Sequence, residues 1–261
     1  MAPSGENLRK KTAGSAETAN GGRTLVETAY AQLRHSILHG EFEPGAKLRT
    51  EELRARYNIS GSTVREALTR LLGETLVTAE GQRGFRVAPI SLEDFTDLAN
   101  IRKLLETETL RNAIAHGDDA WEARVVGAYH RLSRIEEKIN DDPDQWSDEW
   151  EARNKDFHQA LASGCPSRWL AHLSALMYQQ SERYRRIAIR RRSVPRDVHA
   201  EHKEILEATL ARDADRACAL LGEHIDRTIG MIARFLADKE RKKPERAATR
   251  AKGLAKSGAL A

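Results

Sequence analysis

The sequence predicts a mainly α-helical protein: an N-terminal winged helix-turn-helix followed by a C-terminal all-helical antiparallel bundle of six or seven helices. Three observations carry this. Apolar residues recur at helical spacing along most of the chain, strand-like alternation is confined to residues 76–87, and the pattern changes character near Pro89.

Residues 1–23 contain one large apolar residue, Leu8, among Gly, Ser, Thr, Ala and Lys, and are expected to form a disordered arm. Residues 24–90 follow as the winged domain. Leu25, Tyr30, Leu33, Ile37 and Leu38 mark a first helix that stops at Gly40, with Pro44-Gly45 as a turn. Thr50 is the expected N-cap of a second helix, with Leu53 and Tyr57 inward. Asn58-Ile59-Ser60 makes a tight turn, and Ser60 caps a third helix whose buried stripe is Val64, Ala67, Leu68, Leu71 and Leu72. Residues 76–79 and 85–87 then form a hairpin about Gly81-Gln82-Arg83-Gly84. From 91 to 237 almost everything reads as helix, opened by a capping box of Ser91 and Asp94. Breaks fall at Gly117-Asp118, at 140–143, at Gly164-Cys165-Pro166 and at Ser193-Val194-Pro195. Residues 238–261 form a basic tail, expected to be disordered.

Hydrophobic residues make up 40% of the 261 and charged residues 31%, a balance that suits a soluble protein. No apolar run approaches the ~18 residues of a membrane span, and the N-terminus lacks a secretory signal, so the expected location is the cytoplasm. Cys165 and Cys218 are too few for a disulfide framework and are expected to be buried, reduced thiols. The net charge of +4 is unevenly spread: 22 Lys/Arg face 26 Asp/Glu in residues 91–237, whereas the last 24 residues hold eight against three. Whole-chain basicity is therefore no argument for nucleic-acid binding, and local motifs must decide.

The second helix of a helix-turn-helix enters a major groove about 12 Å wide and reads bases with its N-terminal residues. Here Ser62, Thr63, Arg65 and Arg70 are the outward candidates, with Glu66 and Thr69. Arg34, Arg49 and Arg54 are candidates for phosphate contacts. At the hairpin tip Gln82 and Arg83 would enter the minor groove, and Gly81 and Gly84 would permit close backbone approach. The plainer alternative is a set of ordinary surface arginines on a protein-binding domain.

The residues Ile37-Leu38-His39-Gly40, Pro44-Gly45, Ile59-Ser60-Gly61-Ser62-Thr63-Val64-Arg65-Glu66-Ala67-Leu68 and Gly84-Phe85-Arg86-Val87 resemble the DNA-binding domain of GntR-type bacterial transcription regulators. That family usually has Arg directly after the capping Ser and often Pro two residues later. This chain has Gly61 and Thr63, which alters the expected half-site but not the binding mode.

In the helical part, three histidines fall on inward stripes of separate helices. His158 accompanies Trp150, Phe157 and Leu161, with Asn154 one turn before it. His202 lies with Val198, Ile205, Leu206 and Thr209, and His224 with Ala217, Leu221 and Thr228. Buried imidazoles need partners for their lone pairs: a shared divalent metal supplies them, as would three separate hydrogen bonds. Arg102 occupies the inward stripe of Phe95, Leu98, Leu105 and Thr109, so it must pair with a bound carboxylate or with an internal acid such as Glu106. Of the run Arg183, Arg185, Arg186, Arg190, Arg191 and Arg192, most is expected to be a solvated face, with one member able to reach a cavity.

This part resembles the FCD effector domain of the FadR-type branch of the GntR family, through Ile101-Arg102-Lys103-Leu104-Leu105-Glu106, Asn154 with Phe157-His158-Gln159-Ala160-Leu161, Glu201-His202 and His224. The resemblance implies a divalent metal, zinc, nickel or manganese, on Asn154, His158, His202 and His224, and a carboxylate effector meeting Arg102. Asn154 stands where the family more often has Asp. A neutral amide binds a metal less well but leaves it more attractive to an anion. A weaker similarity, at 165–170 and 178–186, to repressors of glutarate catabolism makes a small dicarboxylate the leading effector.

The expected function is therefore a ligand-responsive regulator, most often a repressor, binding an inverted-repeat operator in double-stranded DNA as a homodimer. Residues 89–91 are the expected hinge. A metal-dependent hydrolase or lyase is the first alternative, but His-Glu-x-x-His, a phosphate-cradling glycine loop and Gly-x-Ser-x-Gly are all absent from the sequence. A non-specific DNA binder acting through its basic tails is the second.

Overall fold

The computed structural model describes residues 24–81, 84–139, 142–190 and 196–257. It divides into two compact units between Pro89 and Ile90.

In the first unit, α1 (Leu25–Leu38) starts at a reciprocal capping box of Thr24 and Glu27. Helix α2 (Thr50–Tyr57) is capped by Arg49, which makes no side-chain cap bond, so Thr50 is its first residue and not its N-cap. Asn58 closes α2 in the left-handed region at φ 52°, a conformation asparagine tolerates. Helix α3 (Gly61–Gly73) starts where expected, with the Ser60 hydroxyl accepting from the Thr63 N–H. Val64, Ala67, Leu68 and Leu71 are buried against Leu33, Ile37 and Leu53, but Leu72 is exposed. A stripe four residues wide already fills the face that α1 covers.

The hairpin is β2 (Val77–Ala79) with β3 (Phe85–Val87), and the sheet has a third strand, β1 (Lys47–Leu48), in the order β1-β3-β2, all antiparallel. Sequence periodicity misses β1 because two residues carry no period. Gly84, at φ 97°, lets the strand turn back so that Gly84 O accepts from Glu80 N at 2.9 Å.

The second unit holds seven helices among the described residues: α4 (Leu92–His116), α5 (Asp119–Ile139), α6 (Pro143–Ala162), α7 (Arg168–Gln180), α8 (Glu182–Arg190), α9 (Val198–Leu210) and α10 (Ala214–Ser257). Ser91 caps α4 by accepting from Asp94 N. The breaks at Gly117, Pro143 and Pro166 are where sequence places them, and the one expected at Ser193-Val194-Pro195 lies outside the described residues. Two more were not signalled by Gly or Pro: Ser181 separates α7 from α8, and Arg212, at φ 58°, separates α9 from α10. The backbone of the basic tail continues α10 to Ser257, where low hydrophobicity alone predicts disorder; Ala, Lys, Arg and Glu are strong helix formers even without a face to bury.

Trp121 pins the core. Its indole N–H donates to Ala160 O at 3.0 Å, tying α5 to the end of α6, and its ring lies against Gly117 and Gly164 so closely that a Cβ on Gly117 would come within 2.1 Å of it. Around it Leu110, Leu132, Phe157, Ile205 and Ile225 close a single core cluster that carries the candidate site at its polar margin. No helix among the described residues is long and apolar enough to cross a membrane. Of the two free cysteines, Cys218 is buried, but Cys165 is partly exposed, because it sits in the α6–α7 turn rather than on a helix face.

Candidate metal centre and DNA-facing helix

His158 on α6, His202 on α9 and His224 on α10 are all buried, and each offers a nitrogen within 4.8 Å of the others'. Ring centroids are 5.7 Å apart for His158 and His202, 5.5 Å for His158 and His224, and 4.7 Å for His202 and His224. Asn154, fully buried one turn before His158, donates from Nδ2 to the Tyr178 hydroxyl at 2.7 Å.

The outer nitrogen of each ring faces a carboxylate. His202 Nδ1 meets Glu136 Oε1 at 2.7 Å, His224 Nδ1 meets Glu201 Oε2 at 2.8 Å, and His158 Nδ1 lies 3.7 Å from Glu106 Oε2. The acids are themselves held: Arg102 Nε donates to Glu106 Oε1 at 2.6 Å, and Arg196 donates to both oxygens of Glu201. A carboxylate on one ring nitrogen fixes the tautomer that leaves the other free to ligate. The inner atoms fit that use: His158 Nε2, His202 Nε2 and Asn154 Oδ1 are buried without a hydrogen-bond partner among the described residues. Such atoms are costly to leave unpaired, and imidazole nitrogens together with an amide oxygen are a donor set that suits a divalent cation.

The electrostatics agree. Burial holds the His158 imidazole down at about 4, against the pull of Glu106, and holds His224 well below its usual value, so both rings are neutral near pH 7 as ligation requires. Burial opposes ionisation of Glu106, yet Arg102 and His158 overcome it and bring that carboxyl to about 2. His199, three residues before His202, sits outside the cluster with its Nδ1 3.3 Å from Glu136.

Two cavities adjoin the cluster and share no lining residue. Glu106, His158, Ser174 and Tyr178 line one; Trp150, Asn154, Arg185, Arg196 and His224 line the other. Three members of the arginine run differ from expectation here, and Arg191 and Arg192 lie outside the described residues. Arg183, Arg185 and Arg186 are buried, not solvated: Arg185 forks onto Glu151 beneath the Tyr178 ring, and Arg186 bonds Asp148 and Glu182. Acids on α6 and at the start of α8 make this inward face possible. Of the pairings open to Arg102, the structure contains the one with Glu106, and its guanidinium also lies over the Tyr178 ring, 5.0 Å from its centre.

Sequence reasoning missed Glu136, Arg196 and Tyr178. The signal for Glu136 was an acid beside Leu132, Ile135 and Ile139 on an otherwise apolar face of α5.

On the first unit, Ser62 and Arg65 are exposed at the start of α3, and Thr63 is half-buried. The Ser62 and Thr63 hydroxyls each lie 2.8 Å from Ser60 Oγ. Arg49 and Arg54 pair with Glu52 and Glu51 of α2, and Arg70 with Glu66 of α3. Exposed pairs of this kind are worth little and yield readily to a phosphate. Arg34 differs: it is largely covered and bonds Glu74 at 2.8 Å, bracing α1 against the end of α3. Gln82 and Arg83 lie outside the described residues.

Two family descriptions match the chain: bacterial regulatory proteins of the gntR family over residues 25–87, and the FCD domain over residues 97–227. The chain belongs to the GntR family. In this member the two domains follow the order of the FadR-type branch. It is 44% identical over 213 residues to the HTH-type transcriptional regulator BphR of Paraburkholderia xenovorans (strain LB400), covering 82% of this chain and 87% of that one. It is 36% identical over 212 residues to the HTH-type transcriptional repressor GlaR of Escherichia coli (strain K12), covering 80% and 96%. A GntR transcriptional regulator of Rhodococcus sp. RHA1, known from its crystal structure, matches with a TM-score of 0.62 at 26% identity, covering 80% of this chain and 97% of that one. The protein is accordingly a bacterial transcription regulator.

Proposed function

We propose that this GntR regulator is a repressor that binds an inverted-repeat operator as a homodimer and is released by a small carboxylate sensed at a divalent metal ion, zinc, nickel or manganese, in the FCD domain. Asn154, His158, His202 and His224 would hold the ion; Glu106, Glu136 and Glu201 would orient the imidazoles. The ion would supply a positive centre for a carboxylate. The observation that carries the reading is the set of unpartnered buried atoms on His158, His202 and Asn154 beside imidazoles backed by carboxylates.

On the DNA side, Ser62, Thr63, Arg65 and Arg70 would read or flank the major groove, Arg49 and Arg54 would meet phosphates, and Gln82, Arg83 and Gly84 would serve the wing. Arg34 is assigned to phosphate less readily, because Glu74 already engages it. The repressor role is supported by similarity to GlaR. An effector changes DNA affinity only as far as it prefers the arrangement that cannot bind DNA; about 2–3 kcal/mol of preference gives ~30- to 150-fold release.

The test is a thermal-shift screen of small carboxylates against metal-replete and chelator-treated protein, with elemental analysis of the bound ion. A carboxylate should raise the melting temperature of the replete wild type and not of the stripped protein or of His158→Ala. Arg102→Ala in the same screen separates a guanidinium that meets the ligand from one that only anchors Glu106. A carboxylate response that survives both chelation and His158→Ala would overturn the proposal.

A further inference from the structure

Two further histidines, outside the FCD domain, meet at the end of α1. His35 and His39 are four residues apart, so they share one face of the helix, with His39 as its C-cap. Their rings stack with centroids 3.7 Å apart and planes inclined by 27°, and each offers a nitrogen within 4.8 Å of the other's. His39 Nδ1 lies 2.8 Å from His35 O. A carbonyl oxygen only accepts, so Nδ1 carries the hydrogen and the neutral ring presents its lone pair at Nε2. His35 is exposed and His39 half-buried, so an ion can reach the pair without opening the core.

The opposite face of the same turn is fixed. Leu33, Ile37 and Leu38 are buried, and the Ser36 hydroxyl lies 2.8 Å from the Tyr57 hydroxyl of α2. The backbone that carries both imidazoles is therefore held, and only the ring torsions remain to be set. Stacked planes do not aim two lone pairs at one point, but a turn about the Cβ–Cγ bond of His35 does, and torsions of this kind have broad minima.

We propose that His35 and His39 form a second metal site, a two-imidazole chelate for copper(II), nickel(II) or zinc whose remaining positions water fills. Two histidines at this spacing on a helix are a sound ligand pair for such ions, and neutral nitrogens select against calcium and magnesium, which take oxygen. The negative end of the α1 dipole lies at the same turn and favours a cation there. The proposal does not depend on the metal-centred reading of the FCD domain. Leu33 and Ile37 of α1 pack in one core with Leu68 and Leu71 of α3, so an ion chelated at this turn binds the folded DNA-binding unit in preference to the unfolded chain and stabilises it. The unit that carries the recognition helix thereby gains its own response to transition-metal ions.

The experiment titrates nickel(II) calorimetrically into the full, metal-stripped chain with His158→Ala, which disables the buried cluster, at about pH 7.5, where imidazoles are largely neutral. Adding His35→Gln or His39→Gln should each weaken nickel by about tenfold or more, because a chelate loses its second, intramolecular ligation with either ring. In the wild type, zinc should move the imidazole carbon and proton signals of His35 and His39 together. His116 is the control: it is exposed at the end of α4 and its Nδ1 makes the same bond, to Asn112 O at 2.9 Å, without a histidine one turn before it. Its signals should move only at higher zinc. Two independent rings would instead cost less than about twofold each on substitution, which overturns the proposal, as does a His39 signal that moves no earlier than that of His116. Nickel binding abolished by His158→Ala alone assigns the ion to the buried cluster and overturns it too. Should His158→Ala not fold, the wild-type signals, identified by their loss in His35→Gln and His39→Gln, still decide.

Discussion

Asn154 gives the cluster an uncharged oxygen where the resemblance implies a carboxylate, and three acids stand behind the imidazoles instead of among the ligands. If the amide oxygen faces an ion, Asn154→Asp should raise zinc affinity by about tenfold or more, the range seen when the polar surroundings of a metal change. It should also weaken carboxylate binding, because it cancels a unit of positive charge at the centre. Competition against a chelator, followed by titration with the carboxylate found in the screen, reads both. Unchanged zinc affinity would place the amide away from the ion. The histidines were legible in the sequence because each falls on an apolar stripe, and an apolar stripe has a period. Arg196 was not, since an arginine that turns inward from the edge of a face looks the same in sequence as one turned outward.

Among the elements, the turns are as constrained as the helices they join. Gly117 is in an ordinary backbone conformation, so it is required for space rather than for freedom: a methyl there would enter the Trp121 ring and approach Ala113 O to 2.7 Å. Gly117→Ala should therefore destabilise the helical unit by about 1–3 kcal/mol or more, the cost of overpacking, visible as a lowered melting temperature without loss of helical content at 25 °C. A neutral effect would show that Trp121 has room to shift. Most boundaries were readable from Gly, Pro and capping Ser or Asp. The α7–α8 and α9–α10 breaks were not, because Ser181 and Arg212 are ordinary helix residues whose departure is set by packing of the flanking helices. The inward arginines of α8 follow from the same cause: Glu151 and Asp148 await them on α6, and no local pattern announces a partner some 35 residues away.

Across the whole molecule, charge is separated from recognition. The last 24 residues carry eight Lys/Arg against three Asp/Glu, while the recognition helix presents few charges of its own. Deleting residues 238–261 should weaken operator binding several-fold and flatten its dependence on salt between about 50 and 200 mM, leaving sequence preference intact. Fluorescence anisotropy on operator DNA selected from a random pool measures this. Abolished binding would move recognition into the tail. The histidine cluster has a consequence of its own at this scale. Its three rings and three acids come from α4, α5, α6, α9 and α10, so a guest at their centre finds its seat only once those segments have converged. Occupancy and folding would then be coupled by mass action: a ligand present at a hundred times its dissociation constant adds about 2.7 kcal/mol to the native state, so the domain's resistance to unfolding would report the free concentration of any ion the cluster takes.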